Sequence, residues 1–230
     1  MKDRYLPFRH FWTTEVGLTG VLVFLILYLV ASYLLDQFSV AKILSLLFLS
    51  LFLISAALTV SQHPVGRLVF GGLALLALGF IWIDYFLPEL GLKKWRVLAD
   101  ALTAGYLVVL LLHHVFSEGA ITYHRICGAV AVYLLLAWLW SALYILIVLL
   151  NPQAIKLPPE VLSGSFEGLQ ATMYYYSVVT LTTLGYGDIV PVSYSARLVA
   201  MMEALFGQLY PAILIAWLVS MEIVSRSGKR

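Results

Sequence analysis

The sequence predicts an all-α membrane protein with six transmembrane helices, on three observations. Hydrophobic residues make up 62% of the 230 positions and charged residues only 11%, far below the roughly 25% of a soluble domain. The apolar residues run in unbroken stretches of the about 20 residues that a spanning helix requires. One gap between stretches holds a shorter helical segment and then a glycine-bearing polar loop. That is the pattern of a chain that enters a membrane and turns back.

The first apolar run, 16–35, follows a basic start at residues 1–10 that looks like the head of a signal peptide. The run is too long for a signal core and no small-residue cleavage site closes it, so it reads as an uncleaved first helix. Asp36 and Gln37 separate it from the second run, 38–60; His63 and Pro64 precede the third, 68–87. The charged, proline-bearing stretch 88–96 leads to the fourth, 97–116, and the short link 117–122 to the fifth, 123–150. Pro152, Pro158 and Pro159 mark a loop over 151–165, and 166–180 then reads as a helix too short to span. The polar loop TLTTLGYGDIVP, from Thr180 to Pro191, returns the chain into the sixth run, 194–224.

Six spans put both termini on one face. With that face cytoplasmic, Lys2, Arg4, Arg9, Arg67, Arg125, Arg226, Lys229 and Arg230 lie inside, against Lys42, Lys93, Lys94, Arg96, Lys156 and Arg197 outside. The bias agrees with the positive-inside rule and predicts a multi-pass cell-membrane protein with cytoplasmic termini. The short tail 225–230 carries the expectation of no cytosolic ligand-binding domain, and no internal repeat is visible. A net charge of +2 gives no ground for a nucleic-acid partner, and Cys127, the single cysteine, excludes an internal disulfide or a cysteine metal site.

The polar loop has no base beside a nucleophile and no metal-ligand cluster. Gly185 and Gly187 alternate with larger residues, and glycine accepts positive φ without steric cost. Successive carbonyls can then all face one way, giving a ladder of oxygens from Thr183, Leu184, Gly185 and Tyr186 plus the Thr183 hydroxyl. Such a ladder can replace the water shell of a weakly hydrated cation. Thr182-Thr183-Leu184-Gly185-Tyr186-Gly187-Asp188 resembles the filter signature of the potassium channels, of the prokaryotic six-helix kind with one pore loop per chain. The resemblance covers about 123–224. It implies a K+-selective pore: filter 183–187, pore helix 166–180, outer helix 123–150, inner helix 194–224, and K+ as the permeant ion held at Thr183, Leu184, Gly185 and Tyr186. No organic cofactor is implied. Leu184 stands where valine is usual. A single pore loop implies a homotetramer embedded in membrane lipid, in which four half-helix C-termini face a central cavity.

By the same resemblance Thr182, Asp188, Tyr175 and Tyr176 support the filter, with Tyr175 bonding Asp188; an aromatic face packed on lipid is the plainer account of the Tyr174, Tyr175 and Tyr176 run. Val179 occupies the place where some relatives carry a pore-helix carboxylate. Pro211 removes the hydrogen bond to the Gly207 carbonyl, so the inner helix is expected to kink there, either as a gating hinge or as a static bend that widens the cavity. Residues 1–117 are laid out like a voltage sensor and 118–230 as the pore domain. Yet the fourth helix carries only Lys93, Lys94 and Arg96, at its start, while Ala99 and Leu102 are apolar. Steep gating requires about 3–4 charges per subunit, so weak or absent voltage sensing is expected, with the cations snorkelling outward and Asp84 pairing with one of them. The short link 117–122 favours packing of the first four helices on their own subunit's pore. Glu203, inside the sixth helix, is expected either to face the pore helix and bond a hydroxyl such as Thr180 or Thr182, or to pack in its protonated form. His113 and His114 face different sides of their helix and so make no metal pair; they read as interfacial, with a pH sensor as the alternative. Gly71, Gly72 and Gly79 read as close-packing positions.

Three alternatives stand beside this one. Gly185-Tyr186-Gly187-Asp188 is similar to the glycine-x-glycine-aspartate string of intramembrane aspartyl proteases, with Pro211-Ala212-Ile213 close to their second motif. That chemistry requires a second facing carboxylate, for which Asp84 and Asp100 are the candidates. A non-conducting subunit and a less selective cation channel are the others.

Overall fold

The computed structural model describes residues 16–34, 39–59, 64–117, 122–162 and 164–227. Its helices are α1 (Val16–Leu34), α2 (Ser39–Thr59), α3 (Pro64–Phe86), α4 (Lys93–Val115), α5 (Tyr123–Leu150), the short α6 (Pro159–Leu162), the half-helix α7 (Phe166–Leu181) and α8 (Tyr194–Ser227). Four helices among the described residues are long and apolar enough to cross a membrane, with shorter apolar stretches at Gly17–Ala31 and Leu46–Ala57. The basic start 1–10 and most of the link 117–122 lie outside the described residues.

Several boundaries differ from expectation. α3 begins at Pro64 rather than 68, because the first turn of a helix has no use for the missing N–H of proline. α4 begins at Lys93 rather than 97: Gly91, at φ 64, closes the 3-10 turn Pro88–Leu90 and lets the chain re-enter a helix at once. The three cations therefore belong to the first turn of α4, the helix at whose start the sensor layout counts them. α7 runs one residue further, to Leu181, and α8 runs to Ser227. The fold is all-helical, as expected, with one small addition. The loops flanking α7 pair as a two-residue antiparallel ladder, β1 (Ile155–Lys156) with β2 (Val190–Pro191). The amides of Val192 and Ser193 extend it by bonding the Ala154 carbonyl at 2.8 and 3.0 Å.

Contacts sort the chain into two units. One comprises Met1–Leu78, Tyr106–Val132 and Ile215–Arg230. There α1 packs on α2, and a Cβ at Gly128 would press on Leu18 at 3.3 Å and Val115 at 3.4 Å. The Thr19 hydroxyl meets His124 Nδ1 at 2.7 Å, and Arg125 lies over the Trp217 ring. The other comprises Gly79–Gly105 and Tyr133–Leu214. Its core gathers Tyr144, Ile155, Phe166, Met173, Tyr176 and Ile189 around the half-helix. All of the predicted filter residues lie in this second unit.

Candidate functional site

The half-helix begins on a built cap. Ser165, in extended conformation, accepts the Gly168 amide on its hydroxyl at 3.0 Å, which satisfies one of the free N–H groups of the first turn. Phe166, Met173, Tyr176, Ser177, Val179 and Leu181 form the buried face. Tyr144 of α5 meets Tyr176 edge-on, with ring centroids 4.8 Å apart.

The exit from α7 sorts donors from acceptors. The amides of Thr182, Thr183 and Leu184 turn back onto the carbonyls of Val178, Thr180 and Val179 at 3.0, 2.9 and 2.9 Å. The Thr182 hydroxyl adds a bond to the Val178 carbonyl at 2.6 Å. Positive φ then falls on every second residue: Thr183 at 59°, Gly185 at 58° and Gly187 at 80°. Alternation of left- and right-handed residues points successive N–H groups to one side and successive carbonyls to the other. Thr183 is the one non-glycine residue with positive φ among those described. For a β-branched side chain that conformation costs on the order of 1–3 kcal/mol and occurs where surroundings enforce it. Among the described residues, no hydrogen bond ends on the carbonyls of Thr183, Leu184, Gly185, Tyr186 or Gly187. The Leu184 and Tyr186 side chains are exposed in the single chain. A row of uncharged, unshared oxygens suits a monovalent cation that gives up water cheaply. It offers no proton-transfer chemistry.

Beyond the row, the Tyr175 hydroxyl donates to Asp188 Oδ2 at 2.8 Å, the pair that the sequence points to. Ile189 is buried, and the β1–β2 ladder anchors the chain immediately after it. Tyr176 has a different place: it is buried against Tyr144, behind the half-helix rather than beside the loop.

On α8, Glu203 is fully buried and bonds a hydroxyl of the half-helix, as expected, though that of Ser177 rather than Thr180 or Thr182. Its carboxyl meets the Tyr144 hydroxyl at 2.6 Å on one oxygen and the Ser177 hydroxyl on the other. Ser177 also reaches the Ala137 carbonyl at 2.7 Å. Glu203 thereby joins α8 to α5 and to the back of α7. Gly207 lies against the end of the half-helix. A Cβ there would fall 2.7 Å from the Leu181 carbonyl carbon and closer still to its oxygen. Close backbone packing is thus one requirement for glycine at this position, and the helix α8 spans both Gly207 and Pro211. The Tyr133 hydroxyl donates to the same Leu181 carbonyl at 3.3 Å. One contact has no forerunner in the sequence reading: Gln208 Nε2 donates to the Thr183 hydroxyl oxygen at 3.0 Å.

Among the cations that open α4, Arg96 makes the expected pair with Asp84, at 2.6 Å and with both side chains nearly buried, so it does not snorkel outward. Its other nitrogen reaches Gln170 of α7 at 3.3 Å, and it lies over the Phe166 ring together with Lys93. Lys94 is exposed. Among the described residues no group of three His, Cys, Asp or Glu side chains is arranged for a metal.

Tyr144, Ser177, Gln170 and Gln208 escaped sequence reasoning. A glutamate amid apolar residues signals that hydroxyls must be near, but not which ones. No curated protein and no solved structure matches the chain. Residues 126–223, less than half of the chain, match the family model described as "Ion channel". This is a helical membrane protein, and the match, which covers the half-helix, its exit loop and most of the flanking helices, supports an ion channel and with it transport rather than enzymatic chemistry.

Proposed function

We propose that the protein is a potassium-selective channel of the cell membrane, a homotetramer of six-helix subunits with cytoplasmic termini, conducting K+ passively through four copies of the exit loop. The observation that carries this reading is the alternation of positive φ at Thr183, Gly185 and Gly187, with the carbonyls between them unshared. Leu184, Tyr186 and their neighbours would hold a dehydrated cation by main-chain oxygens, with Thr182, Asp188 and Tyr175 keeping the loop in shape. One loop makes one wall of such a site, so the site requires other copies. α8 supports this: 11% of its apolar window is buried within the chain against 50% for α5, leaving Met201, Leu205 and Leu209 for neighbours or lipid. Residues 1–117 form a sensor-like region without strong voltage sensing, because Arg96 is committed to Asp84 and Gln170 of its own chain. The same link favours an unswapped arrangement.

Potassium flux into liposomes that contain only this protein tests the proposal. Barium-sensitive flux, lost in Gly187→Ala because a side chain opposes φ 80, is expected. Equal rates under sodium and potassium gradients would make it a less selective cation channel. Peptide cleavage abolished by Asp188→Ala, without flux, would make it a protease. Against the protease, Asp188 lies outside any helix with a tyrosine hydroxyl for partner, and Asp84 is held by Arg96.

A further inference from the structure

The Thr183 hydroxyl is the first oxygen of the row on the side of α7 and α8, and it has a dedicated partner. Gln208 follows the glycine that brings α8 against the Leu181 carbonyl. Close packing at Gly207 therefore sets the distance at which the Gln208 carboxamide meets the loop. Its Nε2 lies 3.0 Å from Thr183 Oγ1. Nε2 is a donor only and the hydroxyl oxygen offers two lone pairs. The contact is thus a bond from Gln208 that occupies one lone pair and leaves the other, and the hydroxyl proton, with fewer directions. Thr183 is also the strained residue of the row, a β-branched side chain at φ 59. A free hydroxyl rotor on such a residue would present its oxygen in several orientations.

We infer that Gln208 is a positioning residue for cation binding: its carboxamide orients the Thr183 hydroxyl oxygen as a ligand of the innermost cation site. This rests on the reading of the loop as a filter. Gln208 acts through Thr183, as outer partners of metal ligands do when they fix the direction of a donor atom. Loss of such partners typically weakens cation affinity about 10–100-fold. A ring of four carboxamides at one level would make the effect cumulative in the tetramer.

The test uses the full-length protein in liposomes, with barium as the probe: it is close to potassium in radius and doubly charged, so it reports oxygen-site affinity as block of potassium flux. Gln208→Met keeps length and shape but removes the donor. Barium block is expected to weaken about tenfold, with tetramer size on gel filtration unchanged. The second arm is a double-mutant cycle. In a Thr183→Val background, which has no hydroxyl to orient, Gln208→Met should change block no further. Unaltered block in Gln208→Met, or the same loss with and without the Thr183 hydroxyl, overturns the inference. Absence of potassium flux in the unmodified protein would instead overturn the filter reading.

Discussion

Behind the half-helix, the Ser177 and Tyr144 hydroxyls both close on Glu203, and Tyr176 packs edge-on against Tyr144. In front of it, five successive carbonyls accept nothing from the described residues, and Leu184 and Tyr186 are exposed. Polar groups buried in an apolar setting must be paired, at a cost of about 1–3 kcal/mol each when they are not. The back of α7 obeys that rule within one subunit. The front does not, and in a membrane an unpaired backbone is tolerated only against protein or water. On the proposed reading, the contrast separates what the chain stabilises by itself from what other copies and a permeant ion would complete. Substitutions behind α7 should therefore act on stability, and substitutions in front on flux.

Gly207→Ala should have the largest effect, because it strikes where the two sides meet. The added methyl collides with backbone, the Leu181 carbonyl, which cannot rotate away as a side chain would. Overpacking costs about 1–3 kcal/mol in an adaptable core, and the top of that range is expected here. Flux should be lost together with thermal stability in detergent. If Gly207→Ala melts like the unmodified protein while its opening probability changes, the packing account fails and a hinge takes its place.

Glu203 comes next and isolates the back of the half-helix. Glu203→Val removes the carboxyl acceptor of the buried Tyr144 hydroxyl and the partner of Ser177 and should cost about 1–3 kcal/mol. Glu203→Gln keeps an acceptor for Tyr144 and a donor for Ser177 and should cost far less. Thermal melts of the two variants, read side by side, check this. Equal losses would mean that side-chain volume rather than hydrogen bonding holds the three helices. Tyr175→Phe probes the front. Its bond to Asp188 is exposed in the single chain, so the melting temperature should barely move, whereas flux should run down faster as the outer end of the loop loses its brace. A melt lowered as far as that of Glu203→Val would erase the distinction between front and back.

The alternating positive φ of the loop was legible at Gly185 and Gly187 because glycine at alternate positions is a backbone instruction, local and nearly independent of context. Tyr175 with Asp188 was legible only through a resemblance, since nothing in a separation of thirteen residues brings two side chains together. The Glu203 partners were not legible. Thr180, Thr182, Ser177 and Tyr144 are all hydroxyls within the pore unit, and which two converge depends on the rotation of three helices. Gln208 was passed over because an amide beside a glycine on an apolar helix has no signature of its own. The apolar run alone starts at 97, four residues after the helix does, because it leaves out Lys93, Lys94 and Arg96. Their aliphatic stems and ring contacts with Phe166 let a charged first turn sit in an apolar setting.

The smallest effect is expected at those cations. A charge contributes to voltage dependence only if it moves through the field, at about 2.3 kcal/mol per 100 mV for a full crossing. Arg96 is fixed at 2.6 Å from Asp84 and touches Gln170 and Phe166, so its movement would break a nearly buried ion pair. Lys94 is exposed at the helix start and has little of the field to cross. Lys94→Gln should therefore leave the steepness of the current–voltage relation in planar bilayers unchanged, and the unmodified channel should itself show less than about one charge per subunit. A steep relation that flattens in Lys94→Gln would show that α4 moves despite the Arg96 anchor, and the first four helices would then be a working sensor coupled to α7 through Gln170.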